Sequence, residues 1–344
     1  MKKKILAALL AATMVLSMAA CGDSASDSSS TSTDTGASTE AAGDEGGFTT
    51  TSTFAPTSTV QIVVPASAGG NTDLSARVFA QYAKEITGYD FIVVNAGGAS
   101  GSVAANQVLQ GASDGCMFLY GHNLVNVACV AGVTDYDYTA FKLGPTFAKD
   151  PAQQLYVSAE KYADLNAFIE AAKAAPGELK AATEVGAYTY YELLAFESVA
   201  GIDLALVDAG SNSDKITAML AGTVDLMPGA YINCKDYLAS GQFNCLGAPT
   251  EERYDLISDI PTLKEQGVDL VYPDCDFSFY FHPDTSDDVI TWYEDLVAYM
   301  VTLPEVQEGI AGVDMQPYYL SAADSAANDG AYMDTFKSIA ESIQ

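Results

Sequence analysis

Two short stretches hold the residues with most to offer a ligand. Pro65 to Asp73 reads Pro-Ala-Ser-Ala-Gly-Gly-Asn-Thr-Asp, and Asn95 to Ser102 reads Asn-Ala-Gly-Gly-Ala-Ser-Gly-Ser. Glycine lets backbone N–H groups come close to a ligand. Each stretch leads from an apolar run into a helical pattern, so each ends at a helix N-terminus with free amides and partial positive charge. Taken singly, either is an ordinary strand-to-helix turn with Asp73 or Ser102 as the cap. Two in register, facing one cleft, make a cradle for a carboxylate that needs no lysine. The candidate ligand residues are therefore Ser67, Ala68, Gly69, Gly70, Asn71, Thr72 and Asp73 in the first loop. In the second they are Ala99, Ser100, Gly101 and Ser102, and His122 with Asn123 after the third apolar run joins the set.

The remaining chemistry is sparse. No G-x-G-x-x-G follows a strand and no G-x-x-x-x-G-K-[ST] occurs, which removes the common nucleotide sites. No G-x-S-x-G elbow is present, and with His122 and His282 as the only histidines no Ser-His-Asp arrangement can be argued. Beyond Cys21 the cysteines are Cys116, Cys129, Cys234, Cys245 and Cys275, an odd number without C-x-x-C spacing. Most sit in apolar runs and read as buried thiols, not metal ligands. The expectation is a binding protein and not an enzyme, with no cofactor and no metal. A formal charge of −30, three of whose few cations are Lys2, Lys3 and Lys4, excludes nucleic acid as a partner.

The elements that must hold these loops alternate. Val60 to Val64 is a strand, Asp73 to Ile86 a helix, Phe91 to Val94 a strand, Val103 to Leu109 a helix, and Cys116 to Tyr120 a strand. The pattern resumes from Gln154 and runs to Gly247, with helices expected at Leu165 to Ala174, Tyr190 to Ala200 and Ser213 to Ala221. Phe277 to Phe281 then crosses back, and two helices, Asp287 to Thr302 and Asp329 to Ile343, pack on the first half. Such alternation is α/β, with parallel sheets covered by helices. The expected lobes are 57–145 plus 276–344, and 146–275. Ligands in such sheets lie beyond the carboxyl ends of the strands, in the cleft between lobes.

The N-terminus reads as an export leader over 1–20. Lys2 to Lys4 precede an apolar run too short for a span of about 20 residues, and Met18-Ala19-Ala20 leads into Cys21. A cysteine at the cut implies lipid attachment at Cys21 and an extracytoplasmic, membrane-anchored protein. Residues 21–56, almost all Ser, Thr, Asp, Gly and Ala, read as a disordered linker.

The chain resembles the substrate-binding proteins of the tripartite tricarboxylate transporters. The resemblance rests on Val63-Val64-Pro65 with Gly69-Gly70-x-Thr72-Asp73-Leu74-x-x-Arg77, and on Val94-Asn95-x-x-Gly98-Ala99-x-Gly101. It continues through Asp114-Gly115, Pro176-Gly177, Leu220-x-Gly222-x-Val224-Asp225 and Ile260-Pro261-Thr262-Leu263-x-Glu265-x-Gly267, in the family's order. It implies a two-lobed type II periplasmic-binding-protein fold that captures a small carboxylate for integral membrane permease subunits. A receptor feeding a sensor kinase is the alternative, and a secreted α/β enzyme a more distant one. The resemblance adds site residues from the second lobe: Gly186, Tyr188, Thr189 and Tyr190 in one loop, and Gly210, Ser211 and Asp214 in another. Two departures stand out. Val207-Asp208-Ala209-Gly210-Ser211 lacks the family's lysine, and Gly186-Ala187-Tyr188-Thr189-Tyr190-Tyr191 replaces a Ser-x-x-His pattern. With tyrosines in that loop, a monocarboxylate or an aromatic acid is expected over a tricarboxylate, with Tyr188 facing the cleft. Arg77, one turn into its helix, is expected to hold Asp73 and not the ligand.

Overall fold

The computed structural model describes residues 47–342. The leader, Cys21 and residues 21–46 of the expected linker lie outside them. Among the described residues no helix is long and apolar enough to cross a membrane.

The first half builds β1 (Val60–Val64), α1 (Asn71–Thr87), β2 (Phe91–Asn95), α2 (Ser102–Leu109), β3 (Met117–Gly121) and α3 (Leu124–Val130). β4 (Lys142–Asp150) then leads out to a second sheet. That half contains β5 (Gln154–Ser158), α4 (Leu165–Ala174), β6 (Lys180–Thr183), α5 (Tyr188–Ala200), β7 (Ala205–Asp208) and α6 (Asn212–Leu220). It ends with β8 (Leu226–Gly229), α7 (Tyr231–Ala239) and β9 (Phe243–Gly247). β10 (Cys275–Phe281) returns to the first sheet, followed by α8 (Asp287–Met300), α9 (Pro304–Ala311), β11 (Gln316–Leu320) and α10 (Ala322–Ser342).

One sheet runs β11-β4-β10-β3-β1-β2 and the other β7-β6-β8-β5-β9. β1, β2 and β3 are parallel, as are β6, β7 and β8. The returning strand β10 is antiparallel to both β3 and β4. This is the two-lobed α/β architecture. The chain leaves the first sheet after Asp150, a few residues beyond the 145/146 boundary read from sequence. The reason is β4, a strand the sequence analysis did not assign. Proline is tolerated there because the ladder with β10 breaks register, pairing Leu143 with Tyr280 and then Thr146 with Ser278. β11, with Pro317, survives as a strand at the sheet's edge for the same reason.

The first lobe closes around aromatic rings. Phe118 stacks on Phe279 at 4.5 Å, and Phe79 meets Phe279 and Phe147 edge-on at 4.9 and 5.2 Å. All five cysteines described are free thiols.

The linker expectation needs correction at its C-terminal end. Residues 47–56 pack along α8, with Phe48 and Phe54 edge-on to Trp292 at 6.0 and 5.6 Å. Thr50 Oγ1 donates to Asp295 at 2.7 Å and Thr53 Oγ1 to Asp288 at 2.8 Å. Low overall hydrophobicity hid two anchors, since a pair of rings against a tryptophan outweighs the entropy of a short strap. Phe54→Ala should lower stability by about 1–2 kcal/mol, roughly half the value of a fully buried ring. Urea denaturation with unchanged ligand affinity is the check.

Candidate functional site

Between the lobes lies a cleft of about 600 Å³. Lobe 1 lines it with the loops after β1, β2 and β3, and lobe 2 with the loops after β6 and β7 and the start of α7. These are carboxyl ends of parallel strands, where an open α/β sheet leaves room for a ligand.

The two glycine loops meet there through one buried carboxylate. Asp73 accepts the Gly69 amide at 2.8 Å, Arg77 Nε at 3.0 Å and Nη2 at 2.8 Å, and Asn95 Nδ2 at 2.9 Å. Asn95 Nδ2 also donates to the Ala66 carbonyl at 3.0 Å, so the end of β2 is tied to the loop after β1. Burial pushes the Asp73 carboxyl up, but the Arg77 fork and the two amide donors hold it below the usual carboxylate range. Asp73 is therefore a positioning residue within the helix and not its cap. The N-cap of α1 is Gly70, and no side chain caps it. Ser102 is likewise not a cap, because Gly101 precedes α2 and again no side chain caps the helix. The N-cap of α5 in the opposite lobe, Ala187, also has no side-chain cap. Three helices thus present N-terminal turns to one cleft without a side-chain cap, and the one acid in those turns, Asp73 of α1, is paired with Arg77.

The loop after β2 holds its shape at a cost. Ala99 and Ser100 both take left-handed φ, 47° and 52°, a conformation worth roughly 1–3 kcal/mol each outside glycine. Gly101 (φ 85°) is required twice over, since a Cβ would also stand 2.4 Å from Leu124 Cδ1. Gly70 differs from its sequence reading. Its φ is −78°, in the extended region, and a Cβ there would meet only the Ser67 carbonyl at 3.7 Å.

Of the sequence candidates, Ser67, Ala68, Gly70, Asn71, Thr72, Ser100, Gly101, His122, Tyr188, Thr189, Gly210, Ser211 and Asp214 line the cleft. The others do not. Gly69 braces Asp73 and accepts Asn233 Nδ2 at 3.2 Å from the other lobe. Asp73 faces Arg77, while Ala99 shapes the turn and Ser102 is buried at the start of α2. Asn123 turns away, its Nδ2 donating to the Asp274 carbonyl at 2.8 Å. Gly186 (φ 75°) packs against Ala131, and Tyr190 lies edge-on to Tyr191. Asn71 lines the rim, but its side chain is spent on Asp150 at 2.9 Å and on the Thr72 amide at 2.9 Å.

Tyr188 requires the main correction. It begins α5 instead of preceding it, and only 6% of it is exposed. Its hydroxyl donates to the Pro273 carbonyl, and its own carbonyl accepts Tyr272 Oη–H at 2.8 Å. The hydroxyl is consumed by the chain that crosses between lobes, leaving no free donor for a ligand. Its ring stands edge-on to His122 at 5.1 Å. Burial drives His122 down to about 4, so the imidazole is neutral, and its Nδ1 has no hydrogen-bond partner among the described residues.

Several cleft-lining residues were missed, four of them with polar or charged side chains that bear on the site. Gln153, in the crossing between sheets, lines the cleft with a sealed, unpartnered Oε1. Asn233 opens α7 on the cleft, and Glu184 follows β6. Lys215, in the first turn of α6, lines the cleft although only 3% exposed. Lys215 was legible as the lysine four residues past Ser211, but the sequence analysis looked for it only in the strand-end motif. Ser211 and Asp214 form a capping box, Ser211 Oγ to Asp214 at 2.6 Å, which closes α6 as an anion site. Among the described residues no cluster of His, Cys, Asp and Glu could hold a metal ion.

A two-lobed α/β fold with a cleft of this make-up defines a solute-binding protein. The sequence profile described as "Tripartite tricarboxylate transporter family receptor" matches residues 75–340, and the chain belongs to that family. It is 27% identical over 281 residues, 79% of this chain and 83% of the relative, to the protein of the gbd 5'region of Cupriavidus necator. BugT of Bordetella pertussis is 24% identical over 221 residues, 62% of this chain and 67% of the relative. Among solved structures, an adipate-bound protein of R. palustris aligns with TM-score 0.75 at 23% identity, covering 83% of this chain and 97% of that one. MatC from Rhodopseudomonas palustris with bound malate aligns at 0.74 and 20%, covering 83% and 99%. The fold expected from the resemblance is thereby established, together with a solute-binding role.

Two outcomes follow from the geometry. Gly70→Val should weaken ligand binding at least about tenfold with little change in thermal midpoint, whereas Gly101→Val should destabilise the free protein. Tyr188→Phe should lower the stability of the free protein by about 0.5–1.5 kcal/mol, the value of one hydrogen bond, and leave affinity within about twofold. Differential scanning fluorimetry with calorimetry separates the two effects.

Proposed function

We propose that this chain is an extracytoplasmic lipoprotein, anchored through Cys21, that captures a small carboxylate and delivers it to integral membrane permease subunits. The observation that carries the ligand class is the convergence of three uncapped helix N-termini, α1, α2 and α5, on one cleft between lobes. Such ends offer partial positive charge and free amides to an anion. The hydroxyls of Ser67, Ser100 and Ser213 make no hydrogen bond with any described residue and border the same space. The adipate and malate bound by the two aligned structures support the same ligand class. Tyr188 gives no support to an aromatic preference, because its ring and hydroxyl are held inside the protein.

The leader Lys2-Lys3-Lys4, the apolar run and Met18-Ala19-Ala20-Cys21 support export and lipid attachment. Membership of a family of transporter receptors supports binding without turnover.

The test is a thermal-shift screen of mono- and dicarboxylates including malate and adipate. A ligand at about 100 times its Kd should add roughly 2.7 kcal/mol to stability. The ligand should be recovered unchanged after prolonged incubation, and its consumption would instead favour an enzyme. Cys21→Ser should abolish membrane retention in a fractionated host, and full retention would remove the anchor.

A further inference from the structure

The lysine missing from the strand-end motif has a counterpart one turn further along. Lys215 sits on α6, lines the cleft, is almost wholly buried, and makes no hydrogen bond or ion pair with any described residue. A desolvated ammonium without a partner is costly, and proteins keep one where something else supplies the counter-charge. The groups facing it come from three elements. α5 contributes Glu192, fully buried, with both carboxyl oxygens unpartnered. α7 contributes the buried thiol of Cys234, and the segment after β6 contributes Glu184. On its own helix Asp214 is spent in the capping box with Ser211.

We propose that Lys215 is a specificity-determining residue that receives a second acidic group of the ligand from lobe 2, while the helix ends of lobe 1 hold the first. The proposal rests on the cleft being a carboxylate site. Burial raises the Glu192 carboxyl well above its ordinary range, against the opposing pull of Lys215, and so weakens it as a counter-charge. Burial also lowers Lys215, to about 8, against the opposing pull of Glu192. An incoming anion raises it again, so capture takes up a proton wherever the free ammonium is partly deprotonated. Affinity for a two-acid ligand is then full below about pH 7. Above pH 8 it falls by up to about tenfold per pH unit, until the pKa of the complex is reached.

The experiment pairs solutes of equal length, glutarate with pentanoate and adipate with hexanoate, in calorimetry on the wild type and Lys215→Met. The wild type should prefer at least one diacid to its matched monoacid by about tenfold or more at pH 7. In Lys215→Met that gap should shrink below about threefold through loss of diacid affinity, with monoacid affinity kept. At pH 8.5, buffers of different ionisation enthalpy should report proton uptake with the diacid and none with the monoacid. That readout on the wild type stands even if the variant folds poorly. Equal affinity for diacid and monoacid, an undiminished preference in folded Lys215→Met, or no proton uptake at pH 8.5 would overturn the role of Lys215. Failure of the wild type to bind any carboxylate would instead overturn the reading of the cleft.

Discussion

The carboxylate of Asp73 is the constraint on which the cleft depends. It lies buried where the loop after β1 becomes α1, and four donors from three segments converge on it. An ionised carboxylate in that position would be prohibitively costly if left unpaired. The bidentate Arg77 fork removes that cost, and being planar and doubly hydrogen-bonded it also fixes geometry. Because Asn95 is one of the donors, the loop after β2 inherits the same register. The glycine loops therefore need no ligand to set their relative position. Arg77 does not reach out to the ligand because it is already committed to Asp73.

The lobes are tied by a second set of polar contacts around the crossing strands. Asp274 accepts the Ala152 amide at 3.1 Å, pairs with Lys149 at 2.8 Å and is bonded by the Tyr254 hydroxyl. Its carbonyl takes Asn123, which explains why that residue serves the crossing and not the cleft. Across the mouth, Asn233 donates to the Gly69 carbonyl and Lys235 pairs with Asp314 at 2.5 Å. Exposed pairs of this kind are worth about 0–1 kcal/mol. They therefore link the two lobes only weakly.

A chain with formal charge −30 built to hold an anion invites the question of repulsion. Exposed charges are screened within about 8–10 Å at ordinary salt, so the surface contributes little inside the cleft. The local field comes instead from helix ends and from Lys215. Asp73 is spent on Arg77 and Asp214 in the capping box with Ser211, while Glu192 and Glu184 face Lys215.

What the sequence determined by itself was the set of local relations. Apolar runs of strand length alternating with helical spacing fixed the parallel halves, and Gly-Gly loops before α1 and α2 fixed where they open. The Asp73–Arg77 pair was legible too, because residues four apart share a helix face. Tertiary structure decided everything that depends on a distant partner. β4 exists despite Gly144-Pro145 because β10 and β11 flank it, and residues 47–56 are ordered because Trp292 lies 200 and more residues away in sequence. Tyr188 was assigned to the ligand from the family resemblance, but the Pro273 carbonyl, 85 residues on, takes its hydroxyl. Lys215 went unnoticed for the converse reason. Its chemistry is set by burial beside Glu192, and burial is a property of packed helices that no local spacing records.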